Sequence, residues 1–158
     1  FLVGRFIQGI AAGSCFAEGE EVIDYGFVER WILGMAEKYG VEVMQIGYDR
    51  YNAISTVQKL EAAGMECVEV KQHSSVLHPP TKLLREAILK KEFAYDENRL
   101  LEINFQNARC TEDTNLNKYV NKKRSAGKVD MVVSIIIAVY LMQQAMLFDK
   151  SMDWAIQT

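Results

Sequence analysis

The chain has 158 residues, 49% hydrophobic and 25% charged, with a formal net charge of -3 and a pI near 5.5. This composition supports one packed core and excludes a disordered tail. It also excludes a globally basic nucleic-acid binder, so any DNA contact has to come from a local basic patch. Cys15, Cys67 and Cys110 are odd in number and form no CxxC or Cys/His pattern, which reads as buried reduced thiols in an intracellular protein.

The opening stretch is rich in glycine (Gly4, Gly9, Gly13, Gly19), and Arg5 and Gln8 interrupt its apolar residues, so it does not read as a signal peptide. Val22-Ile23 reads as a short extended segment. Asp24 is placed to cap a helix in which Val28, Ile32, Met35 and Tyr39 recur at helical spacing, with Gly40 as its end. Val41 to Tyr48 reads as a strand ending in Asp49. A second helix starts near Tyr51, with Ile54, Val57 and Leu60 on one face and Gly64 as its stop.

Met65 to Val70 alternates as the next strand. Lys71 to His78 reads as a polar loop, and Pro79-Pro80 as the start of a third helix, Thr81 to Lys91. Phe93 to Tyr95 suggests a short extended piece and Asn98 to Gln106 a short helix. Arg109–Thr111 and Lys118–Val120 pair as a hairpin across the turn-rich Glu112 to Asn117. A basic, glycine-containing loop, Lys122 to Lys128, leads into a long apolar helix from Val129 to Phe148.

Within that helix, Met131 to Met142 is shorter than the ~20 apolar residues a bilayer crossing needs, and Gln143 and Gln144 close it. It reads as a buried core helix, with no membrane partner. The order of elements predicts an α/β fold built on a parallel strand–helix–strand crossover, with residues 1–148 as the domain and 149–158 as a C-terminal tail. Two strands are too few to cover the predicted helices. The rest of the sheet is expected to be missing or supplied by a partner, leaving Val41–Tyr48 an open edge suited to self-association.

Asp49 falls at the carboxyl end of a strand, where open α/β sheets place their ligands. Asp130 opens the long helix directly after the basic loop. Each aspartate has a plain structural reading: Asp49 as a cap for the following helix, Asp130 as a complement to the helix dipole. Brought to one edge, two carboxylates suit Mg²⁺ or Mn²⁺, and a pair of such ions can drive phosphodiester hydrolysis. Lys122, Lys123, Arg124 and Lys128 supply the local positive patch for a phosphate backbone.

Four short segments in order carry a resemblance: Ile23-Asp24-Tyr25 with Phe27-Val28 and Trp31-Ile32; Tyr48-Asp49-Arg50-Tyr51-Asn52-Ala53; Pro79-Pro80-Thr81-Lys82 with Leu84; and Asn107, Lys122-Lys123 and Lys128-Val129-Asp130. Together they resemble the C-terminal nuclease domain of phage terminase large subunits, across Ile23 to Met142. Tyr51 stands where that family has a tryptophan, and Met131 where it has a small residue, which would crowd the site.

The resemblance implies a partial RNase H-like fold and a metal-dependent endonuclease that cuts concatemeric double-stranded DNA during packaging. Asp49 and Asp130 would be the second and third of three acidic metal ligands, and Arg50 and Gln72 would line the site. It also implies the small terminase subunit and the portal as partners and the cytoplasm of the bacterial host as the location. The first strands of the sheet, with the first catalytic aspartate, have no match in this sequence, nor does a Walker A motif. The fragment is therefore expected to be inactive or weakly active alone. A non-catalytic α/β interaction module, or another RNase H-like nuclease or recombinase, would fit the same residues. His73 and His78 read as solvated loop residues rather than metal ligands.

Overall fold

The computed structural model describes residues 24–50 and 53–156, with side chains to residue 146. The glycine-rich opening, the segment at Val22-Ile23, and Tyr51 and Asn52 lie outside the described residues. Asp24 caps the first helix as its position predicts: its Oδ1 accepts from the Phe27 amide at 3.1 Å. The single helix expected up to Gly40 is instead two, α1 (Tyr25–Leu33) and α2 (Met35–Tyr39), divided at Gly34. Gly40 ends α2 in the left-handed conformation at φ 62°, which glycine adopts without strain.

The expected strand–helix–strand unit is present. β1 (Ile46–Tyr48) and β2 (Cys67–Glu69) pair in parallel around α3 (Ile54–Ala62), with Gly47 opposite Val68. Both strands are shorter than their apolar runs. The ladder closes where the Ile46 amide meets the Glu66 carbonyl and the Val70 amide meets the Tyr48 carbonyl. Met44, before the paired residues, is well exposed. Glu29 of α1 lies buried against α3, its carboxylate 3.0 Å from Lys59 Nζ and 3.1 Å from Thr56 Oγ1, which holds the two helices together.

One expectation is corrected at the prolines. Lys71 to His78 is not all loop, because α4 runs from Ser74 to Leu89 and carries Pro79 and Pro80 inside it. Two missing amides ordinarily break a helix. Here Leu77, Pro80 and Leu84 are buried on one face, and that burial outweighs local preference. His73 caps the helix, its Nδ1 accepting from the Ser75 amide at 3.3 Å.

α5 (Arg99–Asn107) and the antiparallel hairpin of β3 (Cys110–Glu112) and β4 (Lys118–Val120) follow the expected pattern. The thiols of Cys67 and Cys110, expected to be buried, are instead half-buried on β2 and exposed on β3. Asp113 organises the hairpin turn. Its carboxylate accepts from Ser74 Oγ, from the amides of Asn115 at 2.8 Å and Asn117 at 2.9 Å, and from Asn117 Nδ2 at 3.0 Å. His78 Nδ1 accepts from the Lys118 amide at 2.8 Å, a second tie between α4 and the hairpin.

The last helix, α6 (Asp130–Ile156), is the axis of the domain and extends through most of the stretch read as a tail. Ile135, Ile136 and Ile137 are 0%, 2% and 9% exposed. Three successive residues at about 100° each cover well over half of a helix circumference, so this helix is enclosed rather than amphipathic. α4, α5 and β1 pack against it, and its burial ends after Leu141. β1 can approach only because residue 47 is glycine: a Cβ there would be driven into Ile137 Cγ2 and come within 3.0 Å of Leu141 Cδ1.

Two outcomes follow from this packing. Gly47→Ala should destabilise the fold by about 1–3 kcal/mol, as overpacking does, and a denaturant melt measures it. The hydrogen bond from Ser74, and then those from Asn117, hold the Asp113 carboxyl well below the usual carboxylate range. A depressed folded pKa stabilises above the unfolded value of about 4 and loses that contribution as pH falls. Asp113→Ala should therefore melt earlier than the parent at pH 7, and the gap should narrow in acid; a gap independent of pH contradicts the assignment.

Candidate functional site

The amino end of α6 brings Asp130, the basic loop and two asparagines of α5 together. Val129, immediately before it, is apolar and 2% exposed, so the residue in the capping position has no side-chain acceptor to offer. Asn104 of α5 supplies one: its Oδ1 accepts from the Met131 amide at 3.2 Å. Its Nδ2 donates to the Leu100 carbonyl at 2.9 Å, and the residue is 3% exposed. Asn107, three residues further on, donates from Nδ2 to the Lys128 carbonyl at 3.2 Å, while its own carbonyl accepts from the Ala126 amide. Residue 127 is glycine where the chain passes this side chain; a Cβ there would lie 2.7 Å from Asn107 Nδ2.

Asp130 thus opens a helix whose first turn is capped from elsewhere. Its side chain is 63% exposed, and its Oδ1 lies 3.0 Å from Lys122 Nζ. Asp49 follows directly on β1 and is exposed. The N-cap position of α3 is held by Ala53, which has no side-chain acceptor. Asp49 is joined to α6 through β1: Gly47, two residues earlier, lies against Ile137 and Leu141.

Of the residues singled out from sequence, Lys122 and Asp130 are in contact, and Lys123, Arg124 and Lys128 are exposed on the same loop. Arg50 is exposed beside Asp49. Gln72 donates to the Val70 carbonyl at 3.0 Å, just beyond β2. His73 and His78 serve the helix and hairpin contacts described above. Met131 does not crowd the exposed side of the turn; it is 8% exposed and belongs to the apolar core. Asn104 carries a signal that sequence reasoning missed: it is a polar residue three positions after the buried Leu101, on the buried face of α5.

Among the described residues, no three His, Cys, Asp or Glu side chains gather into a metal cage. Hard cations take oxygen donors, and the exposed carboxylates of Asp49 and Asp130 are donors of that chemistry. The Lys122 ammonium already places positive charge on Asp130. An exposed pair of this kind is worth no more than about 1 kcal/mol, so it can exchange readily.

The family model for the terminase large subunit endonuclease domain matches residues 7–145. The chain belongs to this terminase endonuclease family. The large terminase of bacteriophage HK97, known from its crystal structure, is similar in fold, with a TM-score of 0.66 and 21% identity. The match covers 75% of this chain and 25% of that one, so the chain corresponds to about a quarter of the HK97 protein. No curated protein matches the sequence. The terminase endonuclease fold accounts for the mixed helices and strands and the small parallel sheet. Among the described residues no helix is long and apolar enough to cross a membrane.

Proposed function

We propose that this domain is the endonuclease unit of a phage DNA-packaging terminase and cleaves concatemeric double-stranded DNA with Mg²⁺ or Mn²⁺. The observation that carries the site is that Asn104 caps the first turn of α6, while the Asp130 carboxylate stays exposed beside the basic loop. Asp49 and Asp130 would hold the cations through their carboxylate oxygens. When bound, divalent ions supply an activated water and stabilise the leaving oxygen of the phosphodiester.

The remaining residues bind and orient. Lys123, Arg124 and Lys128 present three side chains to a phosphate backbone, and Lys122 can turn from Asp130 to a phosphate when a cation takes its place. Arg50 and Gln72 would line the site from the carboxyl ends of β1 and β2. The small terminase subunit and the portal are the partners this role entails, and the host cytoplasm is where it would act. Self-association through the second edge of β1 belongs to the same proposal, since among the described residues that strand pairs with β2 alone.

Cleavage of supercoiled plasmid in Mn²⁺ tests the reading. Weak nicking by the chain should fall at least about tenfold in both Asp49→Ala and Asp130→Ala. Removing Lys122, Lys123, Arg124 and Lys128 together should weaken DNA binding and flatten its salt dependence by up to about 3–4 in log–log slope. Nicking that survives Asp130→Ala rejects the proposed site, and an unchanged salt slope rejects the basic loop as the DNA contact.

A further inference from the structure

We infer that Asn104 is a positioning residue for Asp130, acting through the peptide that joins Asp130 to Met131; the inference rests on the metal site proposed above and specifies what aims it. Both polar atoms of that peptide have side-chain partners. Its N–H donates to Asn104 Oδ1 at 3.2 Å, and its carbonyl accepts from Ser134 Oγ at 2.9 Å. The peptide is attached directly to the Asp130 Cα. Fixing its plane restricts the ψ angle of Asp130, and with it the direction in which the carboxylate leaves the helix.

The chain is also held on either side. Val129 and Met131 are 2% and 8% exposed, and Asn107 grips the Lys128 carbonyl at 3.2 Å. Asn104 and Asn107 are three residues apart and so lie on one face of α5. The result is a backbone tied by three side-chain hydrogen bonds, between two buried residues, beneath a carboxylate that is itself 63% exposed. A ligand meant to meet a cation needs this combination: support from behind and an open front.

The chemistry of Asn104 favours this role over simple packing. Asparagine is a poor residue for a helix interior, and burying its amide is costly unless both ends are bonded. A leucine of similar size would suit the core beside Leu101 and α6. What leucine lacks is an acceptor for the Met131 amide. Aspartate keeps that acceptor, and its charge is favoured at a helix amino terminus.

The test is titration of the chain with Mn²⁺ alone, with thermal melting recorded on the same samples. Asn104→Leu should weaken Mn²⁺ binding by about 10–100-fold, the usual effect of removing support behind a ligand. Asn104→Asp should restore most of that affinity. Ser134→Ala, which releases the other end of the same peptide and improves helix propensity, should weaken Mn²⁺ binding without lowering the melting temperature. Wild-type affinity in a folded Asn104→Leu, or in Ser134→Ala should Asn104→Leu not fold, overturns the inference. Asp130→Asn separates the two claims: if it binds Mn²⁺ like the parent, the proposed site itself fails. If it loses binding while Asn104→Leu does not, only the positioning role is rejected.

Discussion

The fold depends on enclosing the apolar segment of α6 from Met131 to Leu141. A helix that is apolar on every side cannot lie on a surface, so other elements have to be recruited around it. α4 supplies Leu77 and Leu84, α5 supplies Leu101, and β1 closes on it through a residue with no side chain. This requirement explains features that look irregular locally. Two prolines are held inside α4 because its buried face is needed, and Gly47 lies within a strand because Ile137 and Leu141 occupy the space a side chain would fill.

The same enclosure determines which side chains of the first turn stay in solvent. Burial begins at Val129 and resumes at Met131, so Asp130 is the one residue of that turn whose side chain is left in solvent. A buried helix end leaves amides that need partners. Val129 has none to give, and α5 contributes Asn104 instead. The capping bond thus belongs to a neighbouring helix, and the Asp130 carboxylate is released to meet Lys122 and, in the proposed function, a cation and the DNA backbone.

Much of this was legible in the sequence, and the exceptions share a cause. The cap at Asp24, the helix ends at Gly40 and Gly64, the parallel pairing around α3 and the hairpin at Cys110–Val120 follow from local signals that tertiary contacts do not oppose. Sequence signals misplace the start of α4, because proline is a local signal and the burial of Leu77 and Pro80 is not. The apolar run overstates the paired part of β1, because apolar character does not reveal which residues find a strand partner. Asp49, Asp130 and the basic loop stand out by residue type and position, whereas Asn104 acquires its role only through contact with residue 131, far along the chain.

The central claim is that Asp49 and Asp130 share a cation. The most direct measurement is paramagnetic broadening of backbone amide NMR signals on addition of substoichiometric Mn²⁺. The account predicts that signals at residues 49 and 130 broaden together, that those of Glu29 and Asp113 do not, and that Asp49→Asn and Asp130→Asn each abolish the effect at both positions. Broadening confined to one of the two aspartates, or centred on Glu29 or Asp113, would contradict it.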